Sequence, residues 1–318
     1  MTSPYIIVTL GPTGSGKSSM INNVINYLKL DKSYKKFLVD DLVENNDNYK
    51  QTVHVITENV MRQCIDEKKY CVDDECIKCD TSKYYINPSM KLLEDFDKAY
   101  NDVRKGPNCV KDYPLNCNDY NDMKLQEAIQ NNDNIIFETT GLYIPNWLLT
   151  ADSPSEGFIN NKYNVIFAYN FVNFNELIER NKKRILESLT KFTEDQINPG
   201  PRLPNIERDT FKKTVSQIKQ TLLKLYDLCI LKHDSIQCGK TKINKLLLFD
   251  NNGPQSKLLF DSSDTKISIE IFVEMVNKLF GSELDGGKRN ISKKKSYKLI
   301  KKKSYNKVTN PRKLSKKL

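Results

Sequence analysis

The stretch Gly11-Pro12-Thr13-Gly14-Ser15-Gly16-Lys17-Ser18 decides the fold of this chain. It fits the spacing GxxxxGK[ST], in which glycines let backbone N–H groups turn toward phosphate oxygens. The preceding run, Tyr5 to Leu10, is apolar and rich in β-branched residues, which indicates a buried strand. After the loop, apolar residues recur on one helical face, at Ile21, Val24, Ile25 and Leu28. A strand, a glycine-rich loop and a helix in this order predict a nucleotide-binding site.

The motif assigns a role to each part of the loop. Residues 11–18 and the following Ser19 are expected to bind the nucleotide. Lys17 would reach the β- and γ-phosphates, and the Ser18 hydroxyl would bind Mg²⁺. The N-terminus of the helix faces the same anion. The predicted cofactors are therefore ATP and Mg²⁺.

Strands and helices alternate along most of the chain, which predicts an α/β fold with a mostly parallel sheet flanked by helices. Further strands are predicted at 37–39, 135–138, 165–169, 246–249 and 257–260, and further helices at about 53–64, 120–130, 174–189, 211–229 and 267–280. We expect one P-loop domain over residues 1–285. Residues 66–120 break the pattern and hold five of the eight cysteines, so we interpret them as an α-rich insertion.

The net charge of +10 comes from the end of the chain. Residues 288–318 contribute 14 of the 50 Lys and Arg and no acidic residue, which leaves 36 basic against 40 acidic residues elsewhere. Residues 286–318 show no apolar period and are predicted to be a disordered basic tail. Such a tail binds nucleic acid or anionic surfaces non-specifically, or it serves solubility or import, which we prefer.

The cysteines are interpreted through the compartment that the sequence indicates. The N-terminus lacks the pattern of a secretory signal, and no stretch approaches the roughly 18 apolar residues of a membrane span. We therefore expect a cytoplasmic or nuclear protein without membrane contact. There the cysteines would be thiols or metal ligands rather than disulfides. Cys71, Cys76 and Cys79 cluster, but a single close CxxC pair makes zinc the less favoured interpretation.

Other motifs narrow what the bound nucleotide does. The sequence has no Asn-Lys-x-Asp element to recognise guanine, and the strand ending at Glu138 lacks the Asp-Glu pair of many motor ATPases. The remaining class is a small-substrate kinase. In that class an acidic residue after the second strand faces the acceptor hydroxyl, and arginines close over the phosphates.

Over residues 4–280 the chain resembles the zeta-toxin-type P-loop kinases. Besides the phosphate loop, the resemblance rests on Asp40 followed by Asn48-Tyr49, Glu127-Ala-Ile, Glu138-Thr-Thr140-Gly, Leu-Ile-Glu-Arg180, Pro-Arg202 and the segment around Asp250-Asn-Asn-Gly. It implies ATP-dependent phosphorylation of a hydroxyl, which in the bacterial toxins belongs to UDP-N-acetylglucosamine. Two positions depart from the family pattern, because Val43 and Leu142 stand where the family has basic residues.

The resemblance also assigns catalytic roles. Asp40 is expected to orient and deprotonate the acceptor hydroxyl, with capping of the next helix as the alternative. Arg180 and Arg202 are expected to neutralise charge on the transferring phosphoryl group. Arg184 shares a helix face with Arg180, but we interpret it as a solvated residue. Arg208 is a weaker substitute for Arg202.

Three further residues complete the predicted site. Glu138 is expected to hold Mg²⁺ through water, and Thr140 to face the acceptor, with strand-end capping as the alternative for both. Glu127 matches a substrate contact of the family, and a solvated helix position is the alternative.

We therefore expect an ATP-dependent kinase that phosphorylates a hydroxyl of a small acceptor such as a sugar nucleotide. A polynucleotide or nucleoside kinase, for which the basic tail would help to hold the polymer, stays open. So does a nucleotide-dependent binding protein without catalysis.

Overall fold

The computed structural model describes residues 3–67, 69–72, 75–78, 90–145, 153–195, 208–233, 242–253, 255–264 and 267–281. Within these ranges the side chains of 60–93, 153–155, 185–195, 208 and 210 are not described. Residues 1–281 form one compact unit. The predictions for Arg202, Cys79 and the basic tail lie outside the described residues.

The described strands and helices alternate as the sequence predicts. The strands are β1 (Tyr5–Leu10), β2 (Lys35–Phe37), β3 (Lys69–Val72), β4 (Glu75–Lys78), β5 (Ile135–Thr139), β6 (Asn164–Phe171), β7 (Ile243–Asp250) and β8 (Lys257–Asp261). The helices are α1 (Lys17–Leu28), α2 (Val39–Asn45), α3 (Asp47–Glu67), α4 (Met90–Lys105), α5 (Cys117–Gln130), α6 (Ser153–Asn160), α7 (Phe174–Asp195), α8 (Arg208–Lys224) and α9 (Ile269–Phe280). A π-helical segment, Leu225–Leu231, continues α8.

The main sheet has six strands in the order β2-β5-β1-β6-β7-β8. The first five strands in this order are mutually parallel, and β8 runs antiparallel to β7. Every residue of β1 is buried. Because successive side chains of a strand point to opposite faces, both faces of the sheet are covered at its centre. The predicted α/β fold with a mostly parallel sheet is confirmed.

Strand β1 lies where the strand order reverses, with β5 on one side and β6 on the other. In open α/β sheets a crevice forms beyond the carboxyl ends of the strands at such a point. The phosphate loop begins at Gly11, directly after β1, and leads into α1. The sheet order therefore puts this loop in the crevice.

The predicted second strand is present, but its predicted bounds, 37–39, lie two residues too far along the chain. Strand β2 ends at Phe37, and α2 begins at Val39 with Asp40 and Asp41 in its first turn. Acidic side chains at this position are stabilised by the partial positive charge of the helix N-terminus. The two carboxylates therefore diverge by about 100° around a helix, and do not alternate between the faces of a strand.

The expectation of reduced cysteines is also wrong where the structure describes them. Cys109 and Cys117 form a disulfide, with their Cα atoms 4.9 Å apart, and Cys229 is disulfide-bonded too. The connection between α4 and α5 reverses the chain and brings the first pair within bridging distance. Composition does not reveal such proximity.

The described part of residues 66–120, which were predicted to be an α-rich insertion, also contains two strands. Strands β3 and β4 form an antiparallel hairpin in which Cys71 and Cys76 are register partners. Among the described residues, no three His, Cys, Asp or Glu side chains are grouped to hold a metal ion. None of the described helices is long and apolar enough to cross a membrane.

Candidate active site

The phosphate loop is shaped by glycines at its bends. Gly14 and Gly16 have φ angles of 85° and 79°, a region that glycine enters without steric cost. Ser15 N–H donates to the Pro12 carbonyl at 3.2 Å and closes the turn. In the described part of the chain no side chain caps α1 at Gly16. The first N–H groups of a helix have no intrahelical acceptor, so those of α1 can bind phosphate.

Lys17 folds back over the loop and donates from Nζ to the Gly11 carbonyl at 3.0 Å. Burial lowers the pKa of Lys17, and the nearby carboxylates of Glu138 and Asp40 oppose that shift. The ammonium group is thus held in a partly desolvated site, where an incoming phosphate would stabilise its charge.

The two first-turn aspartates of α2 have different partners. Asp40 accepts a hydrogen bond from the Tyr100 hydroxyl, which comes from α4. Asp41 forms an ion pair with Lys36, whose Nζ lies 3.4 Å from it. Both aspartates line one cavity, and Asp40 is held there by a side chain of the insertion region.

Glu138 lies at the carboxyl end of β5 with its carboxylate almost fully buried. Lys36 Nζ is 3.3 Å from Glu138 Oε1. Partial burial by itself lowers the pKa of Lys36. The nearby carboxylates of Glu138 and Asp41 more than offset this effect, so the pKa is raised above its ordinary value. Lys36 therefore stays charged next to the buried Glu138 side chain.

Two arginines of α7 project toward the loop. Arg180 Nε donates to Glu176 at 2.8 Å, and Arg180 Nη2 donates to the Asn251 carbonyl at 2.7 Å. Arg184, one turn later, lines the same cavity. The interpretation of Arg184 as a solvated residue is corrected, because the face that it shares with Arg180 is turned toward the phosphate loop.

These groups surround a cavity of about 520 Å³. It is lined by the phosphate loop and α1, the second strand and α2, the end of β5, α7 and the segment after β7: Thr13, Gly14, Gly16, Lys17, Ser18, Ser19, Lys36, Leu38, Asp40, Asp41, Glu44, Glu138, Arg180, Arg184 and Asn251. The volume is in the range of small-molecule sites.

Two predicted acceptor contacts are not among the residues that line this cavity. Thr140 follows β5 and is exposed. Glu127 is exposed on α5 and pairs with Lys124 at 2.8 Å. No sequence motif marks Lys36 or Tyr100. The hydrogen bond from Tyr100 to Asp40 spans 60 positions in the sequence.

The strand order, the phosphate loop at the switch point and this cavity define a P-loop kinase-like α/β fold. No family model and no curated protein matches the chain. Among solved structures, it is similar to a chain of the PezAT chromosomal toxin–antitoxin system of Streptococcus pneumoniae, at 12% identity and a TM-score of 0.44, covering 94% of this chain and 85% of that one. It is also similar to a proposed kinase from Chloroflexus aurantiacus, at 9% identity and a TM-score of 0.34, covering 88% of this chain and 100% of that one.

Proposed function

We propose that this protein is an ATP-dependent kinase that transfers the γ-phosphate of MgATP to a hydroxyl of a small acceptor, as the zeta-toxin-type kinases do. One observation carries the proposal. The carboxylate of Asp40, the ammonium of Lys17 and the guanidinium groups of Arg180 and Arg184 line a single cavity with the phosphate loop. Phosphoryl transfer needs this combination of a hydroxyl-orienting acid and cationic groups around the phosphates.

The residues present fit a nucleotide with Mg²⁺. The Ser18 hydroxyl lies at the start of α1, next to the N–H groups that would bind phosphate. The buried Glu138 carboxylate and Ser18 line the same cavity, so these oxygens would hold the cation directly or through water. Bound Mg²⁺ would offset the negative charge of the phosphates during transfer.

In the proposed reaction, the acceptor oxygen forms a bond to the γ-phosphorus while the bond from that phosphorus to the β–γ bridging oxygen breaks. ADP leaves with the electron pair of the broken bond, and the hydroxyl proton passes to Asp40. Because the transition state is loose, Asp40 acts mainly by orienting the hydroxyl. Lys17, Arg180 and Arg184 stabilise the charge on the phosphoryl oxygens.

The charge of the cavity favours a small acceptor over a polynucleotide. Four basic side chains line it (Lys17, Lys36, Arg180 and Arg184), and four acidic ones (Asp40, Asp41, Glu44 and Glu138). A channel that binds a phosphate polymer would carry an excess of Lys and Arg. UDP-N-acetylglucosamine, the acceptor of the bacterial toxins, is the first candidate, and Leu142 marks where its recognition would differ.

The test is to incubate the full-length protein with MgATP and a panel of sugar nucleotides, nucleosides and 5′-hydroxyl oligonucleotides, and to detect products by mass spectrometry. We expect one small acceptor to yield a product heavier by one phosphoryl group, about 80 Da. A phosphorylated oligonucleotide would support the polynucleotide kinase instead. Nucleotide binding without transfer to any acceptor would support the non-catalytic alternative.

Two lysine variants control this experiment. Lys17→Ala should abolish transfer, because the ammonium group that would bind the phosphates is lost. The protein should stay folded, because this group contacts the phosphate loop rather than the hydrophobic core. Lys182→Ala removes a lysine of α7 that pairs with Glu179 at the surface, and should turn over normally. Undiminished transfer by folded Lys17→Ala would refute the kinase assignment.

A further inference from the structure

Three asparagine side chains donate hydrogen bonds to backbone carbonyls of the phosphate loop. Asn170 Nδ2 donates to the Ser15 and Gly16 carbonyls at 3.0 and 2.9 Å. Asn181 Nδ2 donates to the Thr13 carbonyl at 2.9 Å, and Asn251 Nδ2 donates to the Ser15 carbonyl at 3.0 Å. We name these three side chains, Asn170, Asn181 and Asn251, the amide clamp.

The chemistry of the contacts fixes the orientation of each amide. Every acceptor is a backbone carbonyl, and only the NH₂ end of an asparagine can donate to it. An aspartate at the same position would have the same shape but would present oxygen to oxygen. The amide clamp therefore depends on asparagine rather than on any polar residue of that size.

The clamp comes from three separate elements. Asn170 belongs to β6, Asn181 to α7, and Asn251 follows β7. It also touches the loop closely. A Cβ built on Gly14 would lie 2.7 Å from Asn181 Nδ2, and one built on Gly16 would lie 2.6 Å from Asn251 Nδ2. The glycines at these two positions leave the space that the Asn181 and Asn251 amides occupy.

Asn170 and Asn181 are completely buried. Among the described residues, no hydrogen-bond partner is found for the Oδ1 atom of either side chain. Burying an amide with an unsatisfied oxygen costs stability. Asn181 Nδ2 also donates to the Leu177 carbonyl of its own helix at 2.8 Å. For both amides, the hydrogen bonds to the phosphate loop offset part of the cost of burial.

Peptide geometry links these contacts to the ligand side of the loop. The described part of the chain has no cis peptide bonds, and in a trans peptide the C=O of one residue and the N–H of the next point in opposite directions. Because the Thr13, Ser15 and Gly16 carbonyls accept from the amide clamp, the N–H groups of Gly14, Gly16 and Lys17 point away from it. The Gly16 carbonyl also accepts from the Met20 N–H of α1.

We propose that the amide clamp positions the phosphate loop for the triphosphate, so that its N–H groups are oriented before the nucleotide arrives. The inference rests on the proposed function and adds three positioning residues to it. Asn251 extends the arrangement to Arg180, because its backbone carbonyl accepts from the guanidinium at 2.7 Å. The phosphate loop and one catalytic arginine are thereby held by the same residue.

The test compares isosteric variants by calorimetry, with MgATP and magnesium tripolyphosphate as ligands. Tripolyphosphate has no base, so it reports on the phosphate site alone. Asn170→Asp should weaken both ligands by similar factors of at least about tenfold, the equivalent of one net hydrogen bond. Asn251→Asp should behave alike, and it keeps the test decisive if Asn170→Asp does not fold.

Asn134→Asp is the matched control. Asn134 donates to the Ser33 carbonyl at 3.0 Å, at the amino end of the sheet. The control should bind both ligands as the wild type does, even if its thermal midpoint falls. Clamp variants that are folded and keep wild-type dissociation constants overturn the inference. If the wild-type protein binds neither ligand, the proposed function itself fails, and the inference fails with it.

Discussion

The adjacent aspartates of α2 offer the sharpest test of the active site. Asp40→Asn and Asp41→Asn are the same change at neighbouring positions of one helical turn. Each removes a charge that the helix N-terminus stabilises, at a cost of about 0.3–1 kcal/mol in unfolding free energy. Any difference between the variants must therefore come from their surroundings.

The surroundings predict opposite outcomes. Asp40 is half-buried and fixed by the buried Tyr100 hydroxyl, so its carboxylate is preoriented to receive a hydroxyl proton. General-base groups typically contribute about 10²–10⁴-fold to turnover, and we expect Asp40→Asn to lose an amount in this range. Asp41 is 51% exposed and pairs with Lys36 at 3.4 Å. Exposed pairs contribute about 0–1 kcal/mol, so Asp41→Asn should slow transfer less than about tenfold.

The assay is single-turnover phosphoryl transfer to the acceptor found in the panel, with ATP affinity measured in parallel. Both variants should bind ATP as the wild type does, because the phosphate loop is untouched. If Asp41→Asn is the slower enzyme, the catalytic aspartate has been assigned to the wrong residue. If neither variant slows transfer, the general-base role is refuted and the likeness to kinases ends at nucleotide binding.

Four further predictions follow from particular contacts. Tyr100→Phe should lower turnover by about tenfold, the effect of one hydrogen bond to a charged group, with unchanged ATP affinity. The control Tyr226→Phe, which loses a partly buried hydrogen bond to the Ile267 carbonyl at 2.8 Å, should turn over normally. Equal loss in both variants would contradict the role of Tyr100. Lys17→Met should make the nucleotide-free protein at least as stable as wild type near neutral pH, because burial lowers the pKa of Lys17 and makes its charged form unfavourable in the fold. Wild-type stability relative to the variant should then rise with pH from the lowered pKa toward the ordinary value of 10.5, and chemical unfolding across that range would detect a trend of the opposite sign. Replacing Cys109 and Cys117 with Ser should reduce the unfolding free energy by about 2–3 kcal/mol, from the entropy of the short loop that the disulfide closes; unchanged denaturation midpoints and slopes would show that the bridge contributes nothing. A chain ending at Gly287 should unfold at the same temperature as the full chain, since the composition of the tail cannot support a core, and a fall of many degrees would refute this boundary.

Local features of the sequence were sufficient for the phosphate loop. Its glycines and Lys17 lie within eight consecutive residues, and the strand before it and the helix after it have clear periods. The alternation of strands and helices likewise predicted the parallel sheet. The second strand was placed two residues too far along, because a three-residue strand at the edge of the described sheet has too short a pattern to locate.

The contacts between distant residues could not be derived in this way. Tyr100 meets Asp40 across 60 positions, and Asn251 meets Ser15 across 236. Such pairs depend on which strands are neighbours in the sheet, and alternation of elements is compatible with several strand orders. Arg184 and Lys36 were misjudged or missed for the same reason, since each looks like an ordinary surface residue until its neighbours are known.

The sequence alone therefore determined the phosphate-loop motif, because that motif consists of closely spaced glycines and one lysine between a strand and a helix. The tertiary structure decided which aspartate is held by Tyr100, which cysteines pair, and which asparagines contact the loop. The physical reason is that hydrogen bonds and disulfides form over a few ångströms in space, whereas periodicity records only distance along the chain. In this protein the strand order β2-β5-β1-β6-β7 brings residues that are far apart along the chain close together in space.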